Sequence, residues 1–287
     1  MRLSIAIVNW NTSRLLEACL NSILRNTPPF EFEVIVVDNN SSDFEETTFR
    51  KRFQNINLIR NTSNIGYAAA NNQAIKASNS EYVLLLNPDT EVLPSTLESL
   101  VGFMDNHKDA AAAGCRLIKP DGAVDRSVRS FPDPWAIASD FLFLSRLFPN
   151  TKLFGRYRMT WFKYDEDIEV DQPMGSCLII RREALNQIGL MDELFPIFFN
   201  DVDWCYRAKR AGWKIYFTCS AEVIHHGGAS TKQVRPQMIH ESHRSLIDFY
   251  RKHYKGHIFM PIYWLTIAAI ELSDILTTRL PILWKSR

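Results

Sequence analysis

The stretch Glu81-Tyr-Val-Leu-Leu-Leu-Asn-Pro-Asp-Thr90 constrains this chain more than any other. Tyr82 to Leu86 are apolar without interruption, the pattern of a strand buried on both faces of a sheet. Asn87-Pro-Asp89 then ends the run, because Pro88 has no N–H for a ladder and biases Asn87 toward extended geometry. In open α/β sheets ligands bind just beyond the carboxyl ends of the strands. Asn87 and Asp89 thus offer oxygen donors where a hard cation and phosphates can be held. A ligand-free Asn-Pro-Asp-Thr turn has the same pattern, so the neighbouring elements must decide.

Those neighbours alternate between strand and helix. Leu3 to Val8 reads as a strand, and Thr12 or Ser13 can cap a helix with the stripe Leu15, Leu16, Cys19, Leu20, Ile23 and Leu24. Phe32 to Val37 is a second strand that carries Asp38 at its tip, and Asn39 to Asp43 is a turn ending in a helix cap. Ile56 to Ile59 is a third strand, and a helix over Ala68 to Ala77 follows the polar loop Asn61 to Tyr67. Pro94 opens the helix after the Asn-Pro-Asp turn. This alternation predicts a parallel, doubly wound sheet in the first ~110 residues. No G-x-G-x-x-G follows the first strand, which argues against a dehydrogenase-type dinucleotide fold.

The second half reads differently. Ala111 to Ile118 is a strand, Lys119-Pro-Asp-Gly122 a hairpin signal, Cys177 to Ile180 a strand, and Arg182 to Ile188 a helix ended by Gly189. A helix over Asp201 to Ala211, ended by Gly212, precedes strands at Lys214 to Thr218 and Ala221 to Ile224. His225 and His226 follow directly. The aromatic-rich span Arg126 to Trp161 has no clear period.

Among 287 residues the net charge is +1, which gives no nucleic-acid footprint. Five cysteines without C-x-x-C spacing suggest buried small hydrophobes in a reducing compartment rather than a disulfide framework or zinc site. The apolar run at the N-terminus is too short for a signal peptide, so a cytoplasmic location is expected. The longest uncharged apolar run, Ile258 to Ile270, is shorter than the ~20 residues a bilayer requires.

Several stretches, in this order, resemble glycosyltransferase family 2, the inverting sugar-nucleotide enzymes of GT-A fold, and most resemble bacterial rhamnosyltransferases of surface polysaccharide synthesis. They are Ile7-Val-Asn-Trp-Asn11, Val34 to Asp43, Asn64-Ile-Gly-Tyr-Ala-Ala-Ala-Asn-Asn72, Leu84 to Thr90, Met174 to Arg182, Asp192 to Phe195, Phe199 to Arg207 and His225-His-Gly-Gly-Ala-Ser230. The resemblance implies a mostly parallel, Rossmann-like central sheet flanked by helices. It would comprise a nucleotide-sugar half over 1–110, an acceptor half over 111–230, and a helical extension over 231–287.

It also implies roles. Asn9, Asn11, Asp38, Gly66, Asn72, Asn87 and Asp89 would bind the donor, and Arg129 its diphosphate or the acceptor. Asn87-Pro-Asp89 stands where the family has D-x-D, so Asp89 would hold Mg²⁺ or Mn²⁺, with His225, or else His226, completing the site. Asn200-Asp201 stands where the family has its E-D pair, leaving Asp201, with Asp203 behind it, as general base. Gly175 would let the acceptor approach closely. The implied reaction is non-processive, inverting transfer, with L-rhamnose from dTDP-rhamnose as the implied sugar, to a glycan or polyprenyl-diphosphate-linked acceptor. The departures at Asn87 and Asn200 leave a second reading, a sugar-nucleotide-binding relative that acts as an assembly partner.

Over Ile258 to Trp284, Thr266, Ser273, Asp274, Thr277 and Thr278 share a helical face opposite Leu265, Ala269, Leu272, Leu276 and Leu280, with Lys252, Lys255, Arg279, Lys285 and Arg287 flanking. This pattern suits a helix lying on the inner face of the cytoplasmic membrane. A helix packed on its own domain or in a homodimer fits it as well.

Overall fold

The computed structural model describes residues 1–227 and 235–279. Gly228 to Ser230 of the late His-His-Gly-Gly segment, and Leu280, Lys285 and Arg287 of the flanking tail, lie outside the described residues. In the first part β1 (Leu3–Asn9), α1 (Ser13–Arg25), β2 (Phe32–Asp38), α2 (Glu46–Arg52), β3 (Asn57–Arg60), α3 (Tyr67–Ala77) and β4 (Tyr82–Leu86) follow the predicted alternation. The strands pair in parallel in the order β3-β2-β1-β4. The chain winds outward from β1 to β3 and returns to the other edge of β1 with β4, so the β1/β4 boundary is a topological switch point.

Beyond it come β5 (Thr90–Val92), α4 (Thr96–Asn106), β6 (Ala110–Ile118), β7 (Val124–Asp125), β8 (Val128–Arg129), α5 (Pro134–Phe141), α6 (Leu144–Leu147), β9 (Ile168–Val170) and β10 (Gln172–Pro173). Then follow β11 (Cys177–Arg181), α7 (Arg182–Ile188), α8 (Asn200–Arg210), β12 (Lys214–His225), α9 (Arg235–His253) and α10 (Met260–Arg279). β11 enters antiparallel between β4 and β6, with Leu178 opposite both Leu85 and Gly114. β12 lies parallel to β6 and antiparallel to β5, which brings His225 opposite Thr90. Strands from both halves of the chain therefore form one sheet.

Alternation divides the strand residues between two cores. Leu3, Ile5, Ile7, Val34, Val36, Tyr82, Leu84 and Leu86 meet α1, α2 and α4 on one face. Ala6, Val8, Ile35, Val37, Val83 and Leu85 meet α3, α7 and α8 on the other. Each large side chain buried in this way contributes roughly 1.5–3 kcal/mol, which fixes strand register because a one-residue slip would exchange the faces. Cys19, Cys115, Cys177 and Cys205 are buried in these layers. Gly114 is required where β10 crosses β6, since a Cβ there would lie 2.4 Å from Pro173 Cβ.

Local details differ from the sequence reading. The two strands read at 214–224 are one strand with a register irregularity between Thr218 and Glu222. The short strands β5 and β7 to β10 carry too few residues to show a period. Pro94 precedes α4 rather than lying in its first turn, and Ser95 enters the helix at φ +61°. Asp43 does not cap α2, whose cap is Glu45. It accepts from Ser13 N (3.0 Å) and Ser13 Oγ (2.9 Å) at the start of α1, where a carboxylate opposes the helix dipole favourably.

The C-terminal helices pack through Phe249, Tyr250, Tyr254, Tyr263, Ile267 and Ile270 against Phe195 and Val202. Asp274 and Ser273 face α9, where His240 Nδ1 lies 2.7 Å from Asp274 and His243 Nε2 lies 3.1 Å from Ser273. Trp264, Leu265, Leu272 and Leu276 are exposed. The side of α10 that carries Tyr263, Ile267, Ile270, Ser273 and Asp274 thus docks on protein, and Trp264, Leu265, Leu272 and Leu276 face outward. Among the described residues, Met260–Thr278 is long and apolar enough to cross a membrane by length and composition alone, with mean hydropathy 1.2 over 19 residues. That differs from the expectation drawn from the uncharged run, because the window tolerates Glu271 and Asp274.

Asp203 ties α9 to α8. The carboxylate is fully buried and meets Arg207 Nε (2.8 Å), Lys252 Nζ (2.6 Å) and His253 Nε2 (2.7 Å). Burial opposes its ionisation, but the bonds from His253 and Lys252 and the charge of Arg207 outweigh this and hold its pKa below the ordinary carboxylate range. Asp203→Ala should therefore lower stability by on the order of 3 kcal/mol at neutral pH, read from urea midpoints. Because the folded-state pKa is depressed, the contribution of Asp203 is fully present above its unfolded pKa of about 4 and is lost as pH falls through the folded value. The gap between wild type and Asp203→Asn should accordingly narrow in acid.

Candidate active site

Five chain segments deliver polar groups to the carboxyl edge of the sheet: the end of β1, the end of β2, the Asn87-Pro-Asp89 turn after β4, the end of β12, and the start of α8. At the turn, Asp89 is buried and its Oδ1 lies 3.7 Å from His225 Nε2. His225 Nδ1 is 3.2 Å from Asp125 Oδ2, so the imidazole is held between two carboxylates. That contact with His225, more than burial opposes it, holds the Asp125 carboxyl below its usual range. His226 points to the other side of the strand, 2.9 Å from Glu91 Oε1. Successive strand residues face opposite ways, so only one of the two histidines can meet Asp89. It is His225.

Asn87 is held at its backbone N–H and at both atoms of its side-chain amide. Its N–H donates to Ser176 O (2.9 Å), its Nδ2 to Ser176 Oγ (3.2 Å), and its Oδ1 accepts from the Tyr67 hydroxyl (2.8 Å). The Tyr67 hydroxyl also reaches Gly175 O at 3.4 Å. Burial, with Asp201 and Asp89 both acting on it, pushes the Tyr67 pKa up, so the group remains a neutral donor.

Asp201 begins α8, where Oδ2 accepts from Gly175 N (2.8 Å) and Oδ1 from Val202 N (2.9 Å). The side chain is half-buried. Desolvation raises its pKa above the ordinary carboxylate value, outweighing those backbone donors. A Cβ on Gly175 would lie 3.1 Å from Asp201 Oδ2, so glycine permits the approach of this carboxylate. Arg129 donates to the carbonyls of Arg126 (2.7 Å) and Val128 (2.8 Å) and acts on both Asp125 and Tyr157.

The remaining candidates have partners within the chain. Asn9 and Asp38 are fully buried; Asn9 Nδ2 donates to Asp38 Oδ1 (2.9 Å) and Ser41 Oγ (3.0 Å). Asn11, at φ +53°, accepts from Ser42 N (2.8 Å). Asn72, read from the sequence as lying against a donor, is buried and clamps Met191 through both its amide atoms (2.9 and 3.0 Å). Gly66 is held at φ +88° under Pro196, whose carbonyl already accepts from Tyr67 N (2.6 Å) and Ala68 N (3.1 Å). The first two amides of α3 are thereby taken by that carbonyl. Asn200 tethers the same loop by donating to Ile197 O (2.8 Å) and Phe195 O (3.3 Å).

Asp203, which the sequence reading places behind Asp201, is buried among three basic side chains. Tyr67, Asp125 and Ser176 were missed. Tyr67 had a signal, an aromatic directly after the loop glycine, whereas Asp125 had none.

Among the described residues no group of three or more His, Cys, Asp or Glu side chains is placed to hold a metal. Asp89 and His225 form a two-member donor set instead. Such a set fits a divalent ion of the kind held by one or two protein ligands together with substrate phosphates.

A sequence model of the family described as Glycosyl transferase family 2 matches residues 4–189. The chain is 28% identical over 257 residues to the N-acetylglucosaminyl-diphospho-decaprenol L-rhamnosyltransferase of Mycobacterium tuberculosis, covering 86% of this chain and 83% of the relative. It is 28% identical to the low-salt glycan biosynthesis hexosyltransferase Agl10 of Haloferax volcanii over 227 residues, 78% of this chain and 66% of that one. Among solved structures it superimposes on the mannosyltransferase PcManGT of Pyrobaculum calidifontis, in complex with GDP-Man and Mn²⁺, with TM-score 0.62 at 17% identity, covering 97% of this chain and 72% of that one. It also superimposes on residues 1–349 of S. aureus TarS, with TM-score 0.56 at 16% identity, covering 100% and 76%. The fold is GT-A, and the chain belongs to glycosyl transferase family 2, a glycosyltransferase resembling the rhamnosyltransferases.

Proposed function

We propose that this glycosyltransferase moves one sugar per encounter, L-rhamnose from dTDP-rhamnose, with inversion, onto a polyprenyl-diphosphate-linked glycan at the inner face of the cytoplasmic membrane. The observation that carries the reading is Asp201, a carboxylate of raised pKa fixed by two backbone amides and joined to the Asn87 turn through Gly175 and Tyr67. A carboxylate with its pKa raised toward neutral suits a general base. Asp201 takes the proton of the acceptor hydroxyl as that oxygen attacks the anomeric carbon, and the carbon–diphosphate bond breaks on the opposite side. Asp89 and His225 would hold the divalent cation, which when bound offsets charge on the departing diphosphate. Asp125 orients the His225 ring toward Asp89, and Arg129 is available to the diphosphate or acceptor. Asn87, neutral where the family has a carboxylate, binds donor oxygens through its amide. The assignments to Asn9, Asn11 and Asp38 become those of groups that shape the loops around the base pocket. The rhamnosyl donor and the lipid-linked acceptor are supported by the mycobacterial relative, and the membrane location by the exposed aliphatic side of α10.

A panel of nucleotide sugars, read by thermal shift with Mn²⁺, tests the donor. dTDP-rhamnose should give the largest shift, and a larger shift with another nucleotide sugar would overturn that assignment. Asp89→Ala should abolish transfer and weaken donor binding in Mn²⁺ far more than in EDTA, by calorimetry. Asp125→Asn should weaken Mn²⁺ binding about 10-fold or more while donor affinity in EDTA is unchanged, as expected of a group that orients a metal-bound histidine.

Asp201→Asn should leave donor affinity nearly intact while turnover drops on the order of 10²-fold or more. In the wild type the base must be ionised. The rate should therefore fall as pH drops through the raised pKa of Asp201, giving an acid limb above the ordinary carboxylate range. A pH–rate profile with its acid limb near 4 would count against Asp201.

A further inference from the structure

The aromatic span without a sequence period forms a surface hairpin. After α5, Phe143 turns the chain at φ +59° into α6, and the segment returns through Phe148 and Leu153. The hairpin is built rather than loose. Asp140 is held by Arg158 at both oxygens (3.0 Å each) and by Ser145 Oγ (3.0 Å), and Trp135 Nε1 donates to Leu153 O (3.1 Å). Yet its large apolar side chains face outward, with Leu142 59%, Phe143 49%, Leu147 69% and Leu153 57% exposed. A soluble surface of this size rarely shows so many apolar groups together without a partner.

Within the 141–154 segment itself the charges are of one sign. From Phe141 to Tyr164 the sequence has Arg146, Lys152, Arg156, Arg158 and Lys163 and no Asp or Glu. Arg146 and Lys152 are exposed beside the tip, while Arg156 and Arg158 pair back to Asp133 and Asp140. Apolar tips ringed by cations match an anionic bilayer surface, where side chains enter the acyl boundary and basic groups stay among headgroups. A second copy docked on the same face would bring the basic residues against one another, which disfavours a symmetric dimer there.

We propose that the 141–154 hairpin inserts its apolar tip into an anionic membrane and forms a second lipid contact, separate from α10. The proposal rests on the reading of this chain as an enzyme that meets a lipid-linked acceptor at a membrane. α5 packs on both α6 and α10, so the two outward-facing apolar sets flank one helix. At the base of the hairpin, Tyr157 O accepts from Ser130 N (3.0 Å), next to Arg129, and the Tyr157 ring lies within electrostatic reach of Asp201. An acceptor whose lipid stays in the bilayer is thereby brought to the base from the hairpin side.

The test is flotation of the full chain with vesicles of phosphatidylcholine containing about a third phosphatidylglycerol, against phosphatidylcholine alone. Leu142→Ser/Leu147→Ser/Leu153→Ser should lower partition on the order of 10²-fold, with Mn²⁺-dependent nucleotide-sugar hydrolysis unchanged as the check on folding. Arg146→Gln/Lys152→Gln should lower partition by roughly tenfold in the anionic vesicles only, and it carries the test should the triple variant fail to fold. If both hairpin variants float like wild type while Leu265→Ser/Leu272→Ser does not, the hairpin proposal is overturned and the α10 reading stands. Wild-type protein that never floats overturns both. A hairpin variant that changes oligomeric state in light scattering but not flotation makes the face a protein interface and also overturns the proposal.

Discussion

At the carboxyl end of β4, a strand buried on both faces must pass into a polar loop without stranding an amide or carbonyl. Each buried orphan would cost about 1–3 kcal/mol. The turn meets this demand with one local partner and two from distant parts of the chain. Asn87 N donates to Ser176 O, Asn87 O accepts from the Thr90 hydroxyl (2.7 Å), and Asp89 O accepts from His226 N (2.9 Å). The bonds with Ser176 and His226 exist only because β11 lies against β4 and β12 lies against β5. The placement of Asp89 near His225 is thus a product of how the sheet closes, and the other site residues are arranged around it.

The same demand explains how much could be read beforehand. Apolar runs and caps mark β1 to β4 and the helices between them because those elements are long and locally determined. β11 is recognisable as a strand, but nothing in Cys177–Arg181 states that it runs antiparallel between β4 and β6. Gly175 and Ser176, which precede it, therefore gave no sign that they would meet Asp201 and Asn87. The resemblance to the family carries the positions of Asp89, Asp201 and His225. It does not separate residues that touch a ligand from residues that hold the frame, and Asn72, Gly66 and Asn200 are explained by hydrogen bonds and close contacts within the loop at 191–200.

Asp201 and Asp203 make that distinction within one helical turn. They are two residues apart, about 200° around the helix axis, and so face different surroundings. One is desolvated at the edge of the sheet, and its pKa rises in spite of two backbone amides. The other meets three basic side chains beneath α9, and its pKa falls. Equal residues at near-equal positions take opposite protonation tendencies from their surroundings alone.

The loop leading into α8 is anchored at both ends, to Asn72 at Met191 and to the first turn of α3 at Pro196, while Asn200 closes it from within. A segment fixed in this way cannot swing to carry Asp201 toward a bound acceptor. Asp201 is set in place as the chain folds, and the cost of ordering it is met then. With Asp201 as the proposed base, what must move for transfer to occur is the incoming hydroxyl, and the speed of the site then depends on how well the acceptor is delivered.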